Sequence, residues 1–306
     1  MKRPRGFDTI IPTLKHYTYP TLIVLEITNE CNLECIMCPR NKMTRPIGVM
    51  QEHLYRKIVD DISVHSPNDT QLWLAFMGEP LLLKEKIIEH IQYAVGKGLT
   101  NVNLNTNLVS ADKDLCFALI KTQLNRIIIS LDSATEETYN KIRKGGNFNR
   151  VLENINYLLE SKETLETKKP VIIIQYIVMD ENEHEVEKFK EIFKNKKVVL
   201  KIREKLGWGL GIEAKNLTLT DKERDYPCPW SNRGFSVHVT GQVGQCDASW
   251  NGLYYFGDLN HQSIAEVWNG KLAQLREKHW NSDFNFEPCK DCKDWQCGRA
   301  EMIYFE

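Results

Sequence analysis

Cysteine placement constrains this chain more than any other feature of its sequence. Nine of the 306 residues are cysteine. One of them, Cys116, stands alone in an apolar helical pattern and is predicted to be a small buried side chain. The other eight fall into two groups, and in a reducing compartment such clustering favours metal ligation over disulfide bonds. The first group comprises Cys31, Cys35 and Cys38, and the second comprises Cys228, Cys246, Cys289, Cys292 and Cys297.

The first group reads Cys-x3-Cys-x2-Cys over residues 31–38. Three thiolates at this spacing can hold three corners of a cubane iron–sulfur cluster, since cysteine is the soft ligand that such clusters use. No fourth cysteine follows nearby, so one iron would keep an open coordination position. A structural zinc site is normally closed by four ligands, and no histidine stands at zinc-finger spacing. The residues alone therefore favour a cluster and leave zinc open as an alternative.

Strand-like and helix-like patterns alternate between residue 21 and about residue 205. Six β/α repeats on this scale predict parallel strands with right-handed crossovers, in an α/β sheet that is either curled or doubly wound. Ligands bind at the carboxyl ends of the strands in both architectures, and the first cysteine group follows the first strand. A helix is expected to start at a capping box that begins at Ser133. The predicted strands are Thr21–Ile27, Gln71–Phe76, Asn101–Asn105, Arg126–Leu131, Val171–Val178 and Val198–Ile202.

The pattern changes after about residue 206. Three glycines occur in residues 207–211, and the segment 217–226 is charged. Short strand patterns then precede a single predicted helix, Ser263–His279. We therefore place a domain boundary near residue 210. The predicted organisation is an N-terminal arm over residues 1–20, an α/β domain over residues 21–210 and a small α+β domain over residues 211–306.

The charge balance argues against some classes of partner. The chain has 40 basic and 41 acidic residues, a formal net charge of −1, whereas a duplex nucleic-acid binder usually shows a basic excess. The longest apolar runs are strand-sized, and the basic N-terminus lacks the apolar core of a signal peptide. We expect a cytoplasmic protein that binds neither nucleic acid nor membrane.

Placed after the first strand of an α/β repeat, the Cys-x3-Cys-x2-Cys motif resembles the signature of the radical S-adenosylmethionine (SAM) superfamily. The resemblance implies a partial (β/α)6 barrel of the TIM type, with a [4Fe-4S] cluster on Cys31, Cys35 and Cys38. It also implies that SAM chelates the open iron and is cleaved to a 5′-deoxyadenosyl radical, which abstracts hydrogen from the substrate. A one-electron reductant such as flavodoxin or ferredoxin is then an expected partner.

Further motifs of the family follow in order after successive strands. Met77–Pro80 looks like the Gly-Gly-Glu-Pro motif that holds the SAM amino group, although methionine replaces its first glycine, and Asn105–Asn107 is similar to the Thr-Asn-Gly motif. Ser130–Asp132 matches a motif whose serine contacts ribose, and Arg143 stands where many members bind the SAM carboxylate. Met37 stands where the family usually has an aromatic residue near adenine. The cofactor-binding residues implied by the resemblance are Met37, Gly78, Glu79, Asn105, Ser130 and Arg143.

The second cysteine group resembles the auxiliary-cluster domain called SPASM, or its shorter twitch form. A full SPASM domain has about seven cysteines for two clusters, and this chain has five. We therefore expect one auxiliary [4Fe-4S] cluster on Cys228, Cys246, Cys289 and Cys292, which makes two such clusters in the chain. Cys297 is left over, either as a structural thiol or alternative ligand, or as a catalytic hydrogen donor of the kind found in radical epimerases.

Three functions compete at this point. The compact layout resembles aminocyclitol dehydrogenases and epimerases of the family, which implies oxidation or epimerisation of a small polar substrate such as a sugar, an aminocyclitol or a nucleoside. Maturation of a short ribosomal peptide, by epimerisation or crosslinking, is the second function. A non-enzymatic zinc-binding interaction module is the third. The polar residues expected to contact the substrate at strand ends are Glu26, Gln175, Lys201, Arg203 and Glu204.

Overall fold

The computed structural model describes residues 17–209, 211–212, 227–296 and 300–304, and ten strands from these ranges form one sheet. The sheet order is β11-β10-β9-β1-β3-β4-β5-β7-β8-β12, and a separate ribbon pairs β2 with β6. The strands are β1 (Leu22–Leu25), β2 (Glu34–Cys35), β3 (Gln71–Leu74), β4 (Val102–Thr106), β5 (Arg126–Ser130), β6 (Arg143–Lys144), β7 (Val171–Val178), β8 (Val199–Glu204), β9 (Gly234–Val237), β10 (Gln242–Gly244), β11 (Gly257–Asp258) and β12 (Ala300–Tyr304).

The six predicted β/α repeats are confirmed. Strands β1, β3, β4, β5, β7 and β8 are successive parallel neighbours. Their central residues are fully buried aliphatic side chains, such as Leu104 in β4 and Ile127 and Ile129 in β5, which suits strands whose two faces are both covered. The outer strands β1 and β8 pair with other strands and not with each other. The sheet therefore stays open, which is the arrangement of a partial barrel.

Helices connect these strands and pack their apolar faces against the sheet. In the first helix, α1, the buried residues Leu54, Ile58 and Ile62 recur at the spacing of one helical face. The helices are α1 (Glu52–His65), α2 (Glu85–Gly96), α3 (Lys113–Lys121), α4 (Glu136–Ile142), α5 (Phe148–Thr164), α6 (Val186–Phe193), α7 (Pro229–Arg233), α8 (Ile264–Asn269) and α9 (Lys271–Trp280), with short 3-10 helices at Pro39–Lys42, Pro80–Leu83, Glu183–Glu185, Asp247–Ser249 and Asp294–Gln296.

The C-terminal part of the chain extends both edges of the α/β sheet. Strand β9 lies parallel to β1, with Gly234 opposite Leu22, and β10 and β11 continue that edge in antiparallel order. Strand β12 pairs antiparallel with β8 at the other edge. A Cβ atom at position 234 would lie 1.7 Å from the carbonyl oxygen of Leu22, so this junction requires glycine. The predicted boundary residue, Leu210, and residues 1–16 of the predicted N-terminal arm lie outside the described residues.

Two local predictions are wrong. The predicted helix over residues 263–279 is divided into α8 and α9, because Gly270 between them has φ −89° and ψ −122° and leaves the helical conformation. Helix α4 is capped by Thr135, whose side chain accepts a hydrogen bond from the backbone N–H of Thr138. The N-cap therefore lies two residues after Ser133, and the capping box expected to begin there does not form.

Among the described residues, no helix combines the length and the apolar character that crossing a bilayer requires.

Candidate active site

The loop that follows β1 carries the first cysteine group, and a short ribbon holds it in place. Strand β2 pairs antiparallel with β6, which sets Cys35 opposite Arg143. Next to this pair, the backbone N–H of Ile36 donates to the carbonyl of Ile142 at 3.0 Å. The N–H of Cys38 then donates to the carbonyl of Cys35 at 3.1 Å. These backbone bonds fix the loop at the carboxyl ends of the parallel strands.

The structure brings Cys31, Cys35 and Cys38 together on the wall of a cavity of about 420 Å³. Burial is the main cause that raises the pKa of all three thiols, and each thiol lies close enough to another for their charges to repel. Two groups that stabilise negative charge on sulfur lie nearby. The Nη1 atom of Arg143 is 3.6 Å from the Sγ of Cys35, and the Nδ2 of Asn107 is 4.0 Å from that of Cys31. The site can therefore hold the three cysteines as thiolates once a bound metal cluster deprotonates them.

The predicted motif after β3 forms the next part of the wall. The buried carboxylate of Glu79 accepts hydrogen bonds from the Thr106 hydroxyl at 2.7 Å and from the backbone N–H groups of Asn107 at 2.6 Å and Leu81 at 3.0 Å. Burial raises the pKa of Glu79, and these donors oppose the shift. A Cβ atom on Gly78 would lie 2.2 Å from the carbonyl oxygen of Thr28. Position 78 therefore has to be glycine for this loop to pack against the chain that leads into the cysteine loop.

Three more predicted cofactor residues line the same cavity. These are Asn105 at the end of β4, Ser130 at the end of β5, and Met37. The Oδ1 atom of Asn105 is buried and has no hydrogen-bond partner among the described residues, so it is available to accept a bond from a ligand. Met37 packs with Ile177 and Met179, which makes the wall apolar beside the cysteines.

Arg143 completes the predicted set, and it has a partner that the sequence did not reveal. Its guanidinium donates to the Oδ2 of Asp132 through Nε at 3.0 Å and also through Nη2. Both side chains are almost fully buried. The other carboxylate oxygen of Asp132 accepts a bond from the N–H of Ile177 at 2.7 Å. The arginine is thus held firmly at the ribbon that carries Cys35. A sulfur-bound cluster and a ligand with donor groups and a carboxylate, such as SAM, fit these walls.

Four of the five expected substrate contacts line the cavity, and they stand on β7 and β8. They are Gln175, Lys201, Arg203 and Glu204. The fifth, Glu26, is not among the lining residues. It is fully buried and pairs through both oxygens with Arg45, at 2.7 and 2.8 Å.

An acidic residue that the sequence analysis missed, Asp247, lines the cavity as well. Burial and the neighbouring Asp294 raise the pKa of Asp247 to about 6, and the cations Arg203 and Lys201 oppose the shift. Burial, with Arg203, lowers the pKa of Lys201 to about 8. The only indication in the sequence that Asp247 belongs to the site is its position directly after Cys246 of the second cysteine group. Because Asp247 lines the cavity, the cavity extends from the first cysteine group to the residue next to Cys246.

The second cysteine group converges around Cys246. Burial is the main cause that raises the pKa of its thiol well above the usual value, and the nearby sulfurs of Cys228, Cys292 and Cys289 add to it in that order. The sulfur of Cys289 lies 3.3 Å from the Nε2 of Gln245. Cys228 and Cys289 are buried, and Cys246 and Cys292 are half-buried. These four thiols fit a fully protein-ligated cluster.

Within the described ranges, no group of three or more histidine, cysteine and acidic side chains is arranged to hold a single metal ion. A cubane spaces its thiolates more widely, since irons and sulfides lie between them. Cys297, the predicted leftover thiol, lies outside the described residues.

A clamp missed by the sequence analysis connects the second cysteine group to the cavity wall. The carboxylate of Asp294 accepts hydrogen bonds from the backbone N–H groups of Gly207 at 2.7 Å and Gly209 at 2.8 Å. Between them, Trp208 lines the cavity with a φ of 53°, a left-handed conformation that is costly for a bulky residue. Trp250 donates to the carbonyl of Trp208 at 3.1 Å. The clamp therefore holds an aromatic wall in a conformation that it would not adopt alone.

Comparison with protein families gives two matches. The sequence model of the Radical SAM superfamily matches residues 25–193, and that of an iron–sulfur cluster-binding domain, SPASM, matches residues 228–293. Among curated relatives, GTP 3′,8-cyclase of Clostridium botulinum (strain Hall) is 27% identical over 202 residues, which cover 64% of this chain and 60% of the relative. GTP 3′,8-cyclase of Hydrogenovibrio crunogenus is 33% identical over 135 residues, 43% of this chain and 40% of the relative. The chain thus spans about 60% of the first of these relatives.

Solved structures with a similar fold include three neighbours at low sequence identity. BtrN in complex with AdoMet and 2-DOIA has a TM-score of 0.62 at 16% identity, covering 89% of this chain and 92% of BtrN. Streptococcus suis SuiB bound to the precursor peptide SuiA has a TM-score of 0.69 at 12% identity, covering 89% and 70%. The anSMEcpe structure with bound AdoMet has a TM-score of 0.66 at 17% identity, covering 90% and 87%. At these identities the likeness concerns the fold.

Proposed function

The chain belongs to the radical SAM superfamily, and from this premise we propose that it oxidises a small polar molecule at a carbon that bears a hydroxyl or amino group. It is a radical SAM enzyme whose cofactors are SAM and iron–sulfur clusters, and such an enzyme needs a substrate and an electron donor. The substrate class, the oxidation, the cytosolic location and the domain boundary near residue 210 are our proposals.

The residues proposed to hold the cofactors follow from the walls described above. The three cysteines of the first group would bind one cluster and the four of the second group the other. Gly78, Glu79, Asn105, Ser130 and Arg143 would bind SAM, with Met37 packed beside its adenine. When bound, these groups supply a 5′-deoxyadenosyl radical that removes one hydrogen atom from the substrate, and an acceptor for the electron that leaves the substrate radical.

One observation carries the proposal: a single cavity extends from the first cysteine group to Asp247, the neighbour of Cys246. A substrate in it lies between the two cysteine groups. The side chains of Gln175, Lys201 and Arg203 offer hydrogen bonds to hydroxyl or amino groups, and the carboxylate of Asp247 can accept the proton that leaves the oxidised hydroxyl or amine. The substrate thus loses one hydrogen atom, one proton and one electron in total, which converts C–H and O–H into a carbonyl, or the corresponding amine into an imine.

Fewer observations support the alternative functions. Epimerisation depends on hydrogen return from Cys297, for which the described residues give no geometry. The likeness to SuiB, whose structure holds a precursor peptide, concerns the fold and does not favour a peptide substrate here. The relatives named GTP 3′,8-cyclase direct attention to nucleotides, which carry hydroxyl groups and belong to the same broad class of polar substrates. The family match favours an enzyme over a zinc-binding module.

The proposal is tested with anaerobically reconstituted protein, SAM, a chemical reductant and a panel of sugars, aminocyclitols and nucleotides. The expected result is substrate-dependent 5′-deoxyadenosine and a product that lacks two hydrogen atoms, measured together by mass spectrometry. Asp247→Asn, which keeps the shape of the side chain, should still form 5′-deoxyadenosine and lose most of the oxidised product. A product of unchanged mass with inverted configuration would contradict oxidation.

A further inference from the structure

The cavity has a cationic end that none of the cofactor residues uses. Helix α7 ends at Arg233, and both Arg233 and Trp230, one turn earlier, line the cavity. Leu22 and Gln71, the first residues of β1 and β3, line it too. Because the first cysteine group lies at the carboxyl ends of these parallel strands, Arg233 lies at the opposite end of the cavity.

The guanidinium of Arg233 belongs to a half-buried residue and has no matching acid among the described residues. Burial lowers its pKa, which means that its charge costs free energy in the empty cavity. Arg45 and Arg143, whose side chains are almost fully buried, each form a forked pair with a carboxylate, on Glu26 and Asp132. Within residues 17–209, 211–212, 227–296 and 300–304, no carboxylate lies within ion-pair distance of Arg233. A charge that is partly removed from water in this way is stabilised when a partner of opposite charge binds to it.

The rest of the cavity lining does not supply the compensation. Among the described lining residues, five are cations, Arg143, Lys201, Arg203, Lys205 and Arg233, and three are carboxylates, Glu79, Glu204 and Asp247. The excess is positive, and an anionic ligand would be attracted to it.

We propose that Arg233 anchors a subsite for an anionic group of the substrate, a phosphate or a carboxylate, at the end of the cavity remote from the first cysteine group. Planar guanidinium groups bind both anions through paired hydrogen bonds. Trp230 provides an adjacent aromatic face, and Lys201 lies further along the cavity. This inference rests on the proposed function in one respect, that the substrate occupies this cavity. It narrows the substrate to a polar molecule with a charged end.

The test measures anion binding to the SAM-loaded holoenzyme without turnover, by calorimetry and by the fluorescence of the cavity tryptophans. Inorganic phosphate and acetate are the two probes. Wild type should bind at least one of them, and Arg233→Gln should weaken that binding about tenfold or more, as expected for loss of a charge-assisted bond. Arg233→Lys, which keeps the charge without the fork, should fall in between. Arg56→Gln is the matched control, because Arg56 is an exposed helical arginine paired with Glu52.

Tighter binding of phosphate identifies a phosphorylated substrate, and tighter binding of acetate a carboxylated one. Equal binding by wild type and a folded Arg233→Gln variant, or binding of neither probe by wild type, overturns the subsite. Because no turnover is measured, the anion result stands even where oxidation fails. Conversely, oxidation of a phosphorylated or carboxylated substrate with the same kcat/KM in wild type and Arg233→Gln would sustain the proposed function and reject the subsite.

Discussion

The two cysteine groups have different surroundings. Cys31, Cys35 and Cys38 stand on the cavity wall, whereas none of the four described cysteines of the second group lines the cavity. Around the second group the shell is aromatic, since Cys228 packs with Trp295 and Trp230. A cluster that binds SAM needs an open position at a ligand cavity, and one that accepts an electron needs only proximity and shielding from solvent. The difference in surroundings therefore matches the different ligand counts that we propose, three and four.

The largest predicted effect separates the two groups by mutation. Replacing Cys31, Cys35 and Cys38 together by alanine should abolish SAM cleavage, because no other described residues offer an open cluster position. The variant should retain about four irons, since a four-iron auxiliary cubane would stay intact. Iron analysis and 5′-deoxyadenosine formation measure the two outcomes.

A control for this experiment is present in the chain. Cys116 is fully buried in α3 and its Sγ lies 3.6 Å from the carbonyl of Asn154, away from both groups, so Cys116→Ala should keep the iron content and SAM cleavage of wild type. Wild-type cleavage by the folded triple variant would refute the assignment of the first group. Zinc in place of iron in that variant would refute the assignment of the second.

A smaller effect tests whether the second group also shapes the cavity. Asp294→Ala removes both hydrogen bonds that hold Gly207 and Gly209, so Trp208 should leave its left-handed conformation and the cavity wall should loosen. A bond to a charged acceptor contributes roughly 1.5–3 kcal/mol, which corresponds to a rise in substrate KM of about tenfold or more. SAM cleavage without substrate should change little. Asp291→Ala is the matched control, because Asp291 is exposed and stands next to Cys292 in the sequence.

The outcome of this variant bears directly on the comparison. An unchanged KM with intact iron would show that the second group and the cavity wall are independent. Loss of iron in Asp294→Ala, absent in Asp291→Ala, would instead show that the clamp supports the cluster and not the wall.

Much of the fold was predictable because its signals are local. The six parallel strands are short apolar runs between helical patterns, and the first cysteine group follows β1 in sequence as it does in space. The errors at the candidate active site arose where a neighbour far along the chain decides the structure. Glu26 was expected to face a substrate, but Arg45 folds over it. Asp294 reaches back to Gly207 across 87 positions, and no periodicity could reveal that contact.

Other residues of the cavity wall illustrate the same limit. Lys201 and Arg203 were expected at a strand end, and the structure places them on the wall with Asp247. Asp247 and Arg233 come from the other side of the predicted domain boundary. They reach the cavity wall formed by the six β/α repeats only because β9 pairs with β1. This pairing joins segments that are more than 200 residues apart.

The smallest predicted effect concerns Cys297 and decides the fate of the substrate radical. If the auxiliary cluster takes the electron, no hydrogen returns to carbon, so Cys297→Ala should retain turnover and neither protein should incorporate solvent deuterium in heavy water. Mass spectrometry of product and recovered substrate measures both. Cys116→Ala controls for the loss of a thiol. One deuterium in the wild-type product, together with stalled turnover in Cys297→Ala, would make Cys297 the hydrogen donor and the enzyme an epimerase. We expect the first outcome, because Cys228, Cys246, Cys289 and Cys292 already provide four ligands and a cavity that extends to Asp247 gives the departing proton an acceptor.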